Sequence, residues 1–140
     1  MKARNFLEQI EKMDRLIDNK LIEKDQWYAV ATGITARMQE DKVQATSSPN
    51  RMEDAVLKMI ECENEINRQI DAFIDKKRHV ISVIEQLDTL EYDILHKRYV
   101  QYISLEDIAD IAGKSASWAR ENHNSALKDV QRILDESEVL

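Results

Sequence analysis

The stretch MEDAVLKMIECENEINRQIDAFIDKKRHVISVIEQL, residues 52–87, decides the fold of this chain. Its apolar residues recur in steps of four and three, with Glu63 and Lys77 in the two remaining positions of the row, at Met52, Val56, Met59, Ile66, Ile70, Phe73, Val80, Ile84 and Leu87. Such heptad spacing keeps one face of a helix turned toward a partner helix. A second row beside the first widens this face, at Ile60, Asn67, Ile74 and Ile81. The pattern predicts one long helix, packed against another helix.

The predicted partner is a first helix over residues 5–31, whose apolar residues follow similar spacing. Asn5 stands three residues before Glu8, and this pair is placed to cap the start of that helix. Gly33 is placed to end it, since glycine adopts the left-handed conformation without strain.

Residues 33–50 are predicted to form the loop between the two helices, because they contain the breaker cluster TSSPN. The long helix is expected to begin with a cap at Asn50, or with a cap at Ser48 and Pro49 in its first position. Together these segments predict a long antiparallel helical hairpin over residues 1–87.

The composition favours helices and excludes some classes of function. The 140 residues include only two Gly and one Pro, which is typical of an all-α chain. The net charge of −7 argues against a general polyanion binder, and the single Cys62 excludes an internal disulfide. The start of the sequence is rich in charge and lacks a long apolar run, so we expect a cytoplasmic protein without a membrane partner.

Residues 88–140 are predicted to form a second domain of short helices. Each of its three helical segments follows a residue that favours an N-cap position: Asp88, Ser104 and Ser115. Gly113 supplies the turn conformation between the last two segments, and the small Ala109 lets those two helices cross closely. This arrangement is typical of a helix-turn-helix.

The run from Ile84 to Val130 resembles region 4 of the primary sigma-factor family, in its L-x-x-R-Y helix, S-x-x-E-I-A helix, G-x-S turn and late A-L pair. The matching residues are Leu87, Leu95, Arg98, Tyr99, Ser104, Ile108, Ala109, Gly113, Ser115, Ala126 and Leu127. The whole chain is similar to small phage and prophage proteins of Gram-positive bacteria, described as transcription regulators of the ArpU and RinA type. The resemblance implies a regulator in the bacterial host cell that binds DNA, together with RNA polymerase or as a dimer. The residues themselves predict a homodimer through the long helix, or docking of the C-terminal domain on it, because the shorter first helix leaves apolar surface near Phe73 to Leu87 uncovered.

Seven polar residues are the candidate DNA-binding site: Lys114, Ser115, Ser117, Arg120, Glu121, Asn124 and Lys128. On a recognition helix Arg120 can read guanine, Asn124 can read adenine, and Glu121 can accept a hydrogen bond from cytosine. Lys114 and Ser115, at the start of that helix, are placed to hold a phosphate.

Two other non-enzymatic functions remain open. The acidic last segment allows the first, and the second is open because small terminase subunits also combine a helix-turn-helix with oligomerising helices. From Ser104 onward four basic residues stand against eight acidic ones, whereas phosphate neutralisation supplies most nonspecific DNA affinity. The alternatives are an adaptor whose helix-turn-helix binds protein and a DNA-packaging component of the small-terminase kind. No enzyme, cofactor or metal site is expected, since the three histidines and Cys62 lack metal-ligand spacing and no phosphate-binding glycine loop is present.

Overall fold

The computed structural model of the chain describes residues 1–33 and 49–139, and every regular element in these ranges is helical. In chain order the α-helices are α1 (Ala3–Ala31), α2 (Pro49–Ile84), α3 (Thr89–Leu95), α4 (Leu105–Ala112) and α5 (Ala116–Val139). A π-helical turn, His96–Val100, directly continues α3. The predicted all-α class is confirmed.

The predicted loop 33–50 lies almost wholly outside the described residues, as does its Ser48 cap. Because α2 already begins at Pro49, Asn50 lies inside the helix and does not cap it. None of the described helices is both long enough and apolar enough to cross a membrane.

The chain folds as two compact units. The first combines Met1–Met13 with Phe73–Leu140, and the second is Asp14–Ala72. The sequence pattern places the domain boundary at residue 87, which falls inside the first unit. The difference arises because the end of α2 and the start of α1 share a core with the C-terminal helices.

The predicted caps of α3 and α4 are present. Asp88 Oδ1 accepts a hydrogen bond of 2.8 Å from the backbone N–H of Glu91. Ser104 Oγ accepts one of 3.1 Å from the backbone N–H of Asp107. Each bond satisfies one of the backbone donors that a helix start leaves without an internal partner.

The predicted cap of α1 is wrong, because the helix begins at Ala3 and Asn5 lies within its first turn. The backbone N–H of Ala3 donates to Gln131 Oε1 of α5 at 2.7 Å. A side chain from the other end of the chain therefore satisfies a donor that a local cap would otherwise serve.

The core of the first unit fixes one side of α5. It is a single cluster of buried residues from α1, α2, α5 and the α3 region: Ala3, Phe6, Leu7, Ile10, Val80, Val83, Ile84, Leu95, Tyr99, Ala126, Val130 and Leu134. Fully burying a Leu or Ile side chain contributes about 1.5–3 kcal/mol relative to leaving it exposed. The side of α5 that carries Ala126 and Val130 is thereby held against the core.

The second unit contains the end of α1 and the start of α2, and it buries few side chains. Its buried hydrophobic residues among those described are Ile17, Ala55 and Ile66. Lys24 Nζ lies 3.2 Å from Glu63 Oε1.

A cleft in this unit shows how its two helices run. Trp27 and Val30, which follow Lys24 on α1, line the cleft together with residues that precede Glu63 on α2: Arg51, Asp54, Leu57, Lys58 and Glu61. Later residues of α1 thus lie beside earlier residues of α2, which is the order in an antiparallel pair.

The heptad face predicted for α2 is partly wrong in this unit. Met52, Val56 and Ile70 leave 45%, 45% and 37% of their surface exposed. Ala55 is fully buried instead. Ile66 of the predicted row is buried as expected, so the buried side of α2 is turned from the predicted face toward Ala55. The small alanine side chain permits a close approach of another helix there.

Candidate nucleic-acid interface

The turn between α4 and α5 is built by local sequence. Gly113 has φ +68° and ψ +34°, the left-handed conformation that glycine adopts without strain. Its N–H donates to the carbonyl of Asp110 at 3.1 Å, and the N–H of Lys114 donates to the carbonyl of Ala109 at 2.9 Å. This pair of bonds is a Schellman motif, which ends α4 sharply.

The second helix starts at once after this turn. Ser115 Oγ accepts a hydrogen bond of 3.1 Å from the backbone N–H of Trp118, as the sequence predicts. Ala109 of α4 and Ala119 of α5 are both buried, and α4 and α5 are in contact. Two helices joined by a three-residue turn are therefore packed closely together.

All seven residues of the candidate site are exposed. Lys114 and Ser115 lie in the turn, and the other five form a polar face of α5, here called the reading face: Ser117, Arg120, Glu121, Asn124 and Lys128. Within it Arg120 Nη2 donates to Ser117 Oγ at 3.2 Å. The opposite side of α5 is buried, so the fold leaves the reading face open to a partner.

A buried pair of aromatic side chains lies on the side of α5 opposite the reading face. Tyr99 Oη and His123 Nε2 share a hydrogen bond of 2.7 Å, and the two rings stack with centroids 5.6 Å apart. Burial lowers the pKa of His123, and the positive charges of Arg4 and Arg98 lower it further. The imidazole is therefore held in its neutral form, and it joins α5 to the π-helical turn. Nothing in the local sequence predicts that Tyr99 and His123 are in contact.

A buried carboxyl lies where α3 faces α5. Glu91 is only 8% exposed, and its Oε2 has no hydrogen-bond partner. Burial raises the pKa of Glu91 to about 7, assisted by the carboxyl groups of Asp129 and Asp88 and opposed by a hydrogen bond with Ser125. Sequence reasoning missed this group, because its burial depends on the packing of two helices.

A groove beside Lys128, at the end of the reading face, is also lined by basic residues from the start of the chain. Gln131 Oε1 accepts from the N–H of Ala3, and Gln131 Nε2 donates to the carbonyl of Met1 at 3.0 Å. These bonds hold the start of α1 against α5, so that Lys2 and Arg4 line a groove with Lys128. We call these three residues the basic groove. Sequence reasoning missed Lys2 and Arg4, since they are more than a hundred positions from α5.

The outer face of α4 has the opposite charge. Glu106, Asp107, Asp110 and Ile111 are all exposed there, Ile111 to 63%. An acidic, partly apolar helix face disfavours contact with phosphates and favours contact with protein.

Among the residues that the structure describes, no group of three or more His, Cys, Asp or Glu side chains could hold a metal ion. No protein-family model matches the chain, and no curated protein or solved structure shows significant similarity to it.

Proposed function

We propose that this protein is a transcription regulator that binds DNA through α4, the Gly113 turn and α5. The observation that carries the proposal is the arrangement of α5, whose apolar side is buried while all seven candidate residues are exposed. A helix that follows a tight turn and presents one polar side is the element that enters the major groove in helix-turn-helix proteins.

The reading face has side chains suited to base edges. Arg120 can donate two hydrogen bonds to guanine, Asn124 can pair with adenine, and Glu121 can accept from cytosine. The turn before it supports a phosphate contact, because the backbone N–H groups at a helix start and the Lys114 ammonium both favour an anion.

The basic groove supports binding to the DNA backbone. Lys2 and Arg4 lie beside Lys128, so positive charge from α1 extends the reading face on one side. Phosphate contacts of this kind position a protein on DNA without reading sequence. They offset part of the acidic balance of the segment from Ser104 onward.

The biological role rests on the resemblance to sigma region 4 and to phage and prophage regulators. The proposal is that the protein acts in the bacterial cytoplasm on phage or prophage genes, with RNA polymerase as its protein partner. The acidic outer face of α4 supports a second function, an adaptor that binds protein through this helix. Glu106, Asp107, Asp110 and Ile111 would then form the contact.

Selection from a random duplex library, with and without bacterial RNA polymerase, tests the two functions. DNA binding predicts enrichment of related sequences by the wild-type protein and a loss of enrichment when Arg120 is replaced by Ala. The adaptor predicts a complex with polymerase or another protein that Asp110→Lys weakens, while no duplex is enriched. If neither DNA nor a protein partner is retained, both functions are wrong.

A further inference from the structure

The second unit exposes most of the large apolar side chains on the described surface. Fifteen large hydrophobic residues are exposed in the part of the chain that the structure describes, and ten of these belong to Asp14–Ala72. The same unit supplies only three of the nineteen buried hydrophobic residues. Two helices alone cannot enclose a core, and small units commonly gain stability by association.

Four of the exposed residues follow one side of α2, and we call them the exposed row: Met52, Val56, Ile60 and Ile70. At 3.6 residues per turn they lie within an arc of about 80°. Glu63 and Asn67 complete the row between Ile60 and Ile70, which gives it the spacing by which one helix packs on another. This row lies beside Ala55 and Ile66, which are buried.

The exposed row faces away from the cleft of the second unit. Asp54 and Glu61 of α2 line the cleft with Trp27, and the centre of the exposed row lies nearly half a turn around α2 from them. Tyr28, a quarter turn around α1 from Trp27, is 54% exposed, and Leu21, one heptad earlier, is 44% exposed. The side opposite the charged cleft thus carries apolar residues from both helices.

The size of this side matches what a dimer needs. Its six apolar residues together expose on the order of 500 Å², a size at which surface patches mark interaction sites. Apolar atoms form about 65% of a homodimer interface, so the whole face would bury roughly 800 Å² per copy. Each partner in an interface of standard size buries about this area.

We propose that a second copy of this chain packs on the exposed row, so that two pairs of helices form a four-helix bundle. Two copies of a two-helix unit complete such a bundle with a self-complementary contact, as two-fold symmetry requires. Asn67 fits this contact, since its amide both donates and accepts and is matched by the same amide in a second copy. The rival occupant is residues 34–48 of the same chain, which have only Ile34, Met38 and Val43 as large apolar side chains.

Sedimentation velocity of the full chain over a range of concentrations tests the proposal. The wild-type chain should sediment as a dimer at micromolar concentration. The double substitution of Val56 and Ile60 by Glu should raise the dimer dissociation constant about a hundredfold or more, because it places unpaired charges in the contact. Leu57→Glu is the matched control, since Leu57 is 58% exposed on the same helix but lies outside the exposed row.

The outcomes distinguish the two candidate occupants of the exposed row, a second copy of the chain and residues 34–48. A dimer that the double substitution dissociates and Leu57→Glu leaves intact supports the proposal, provided that far-ultraviolet circular dichroism shows the same helicity in all three proteins. A wild-type chain that stays monomeric overturns it, and slow hydroxyl-radical labelling of Met52 would then assign the row to residues 34–48. Equal dissociation by both variants also overturns it. None of these results depends on DNA binding.

Discussion

Glu91 is a residue that folding keeps protonated at a pH where the unfolded chain ionises it. Its pKa is about 7 in the folded chain, against an ordinary value of 4.5. Between these values the folded chain holds a proton that the unfolded chain has released, so the free energy of unfolding falls as pH rises from about 4.5 through 7. Above pH 7 the folded chain holds a buried carboxylate beside Asp129 and Asp88. The free energy of unfolding is then lowered by the full amount that burying this charge costs.

Glu91→Gln should remove this penalty. We expect the variant to be more stable than wild type at pH 8 by on the order of 1–3 kcal/mol, and close to wild type at pH 5. Urea unfolding at the two pH values measures the difference, and Glu85→Gln, at an exposed position, is the control. An equal effect of Glu91→Gln at both pH values would contradict the raised pKa of Glu91 in the folded chain. His123 acts in the opposite direction, because its lowered pKa removes stability as pH falls below 6.5, and this contribution is common to both proteins.

At the scale of helices, the packing of α1 on α2 depends on Ile66 more than on the exposed side chains around it. Ile66 is 5% exposed, whereas Leu57 on the same helix is 58% exposed. Ile66→Asp would bury an unpaired charge, so we expect the free energy of unfolding to fall by about 3 kcal/mol or more. Leu57→Asp should change it by no more than about 0.5 kcal/mol. Thermal melts followed by circular dichroism compare the two, and similar melting temperatures would mean that the two helices do not meet at Ile66.

Helix ends set by neighbouring residues could be predicted from sequence, whereas packing choices between neighbouring rows could not. Ser104, Gly113 and Ser115 act through bonds to residues within a few positions, and each does what its sequence context predicts. The heptad pattern of α2 fits two adjacent rows equally well. Tertiary packing, which buries Ala55 and leaves Met52 and Val56 exposed, decides which row is buried.

The same division holds for the candidate site: its local features could be predicted from sequence, and its long-range contacts could not. Exposure of the five candidate residues on α5 follows from the apolar spacing of that helix, which is visible in the sequence, and Lys114 and Ser115 belong to the turn that Gly113 predicts. The basic groove and the Tyr99–His123 pair depend on contacts across many positions, and no periodicity reports them. Their formation is a consequence of the tertiary fold.

At the scale of the whole molecule, a net charge of −7 makes the few positive clusters important for binding any polyanion. If the basic groove contacts phosphates, replacing both Lys2 and Arg4 by Ala should weaken DNA binding about equally for all sequences. The slope of log affinity against log salt should become shallower by about two. Lys12→Ala, at an exposed position of α1 outside the groove, should leave the slope unchanged. An unchanged slope in the double variant would remove the groove from the DNA interface.

The most direct test of the central claim is fluorescence anisotropy with the duplex that the wild-type protein selects, in the presence and absence of RNA polymerase. Arg120→Ala should weaken binding about tenfold to a hundredfold, because it removes a base contact worth about 1–3 kcal/mol. Glu121→Lys should raise affinity for unrelated duplexes and steepen the salt slope by about one. Arg132→Ala, an exposed arginine of α5 outside the candidate site, should have little effect. Equal affinity of the Arg120 and Arg132 variants, or no binding of any duplex by the wild-type protein even with polymerase, would contradict the claim that α5 reads DNA.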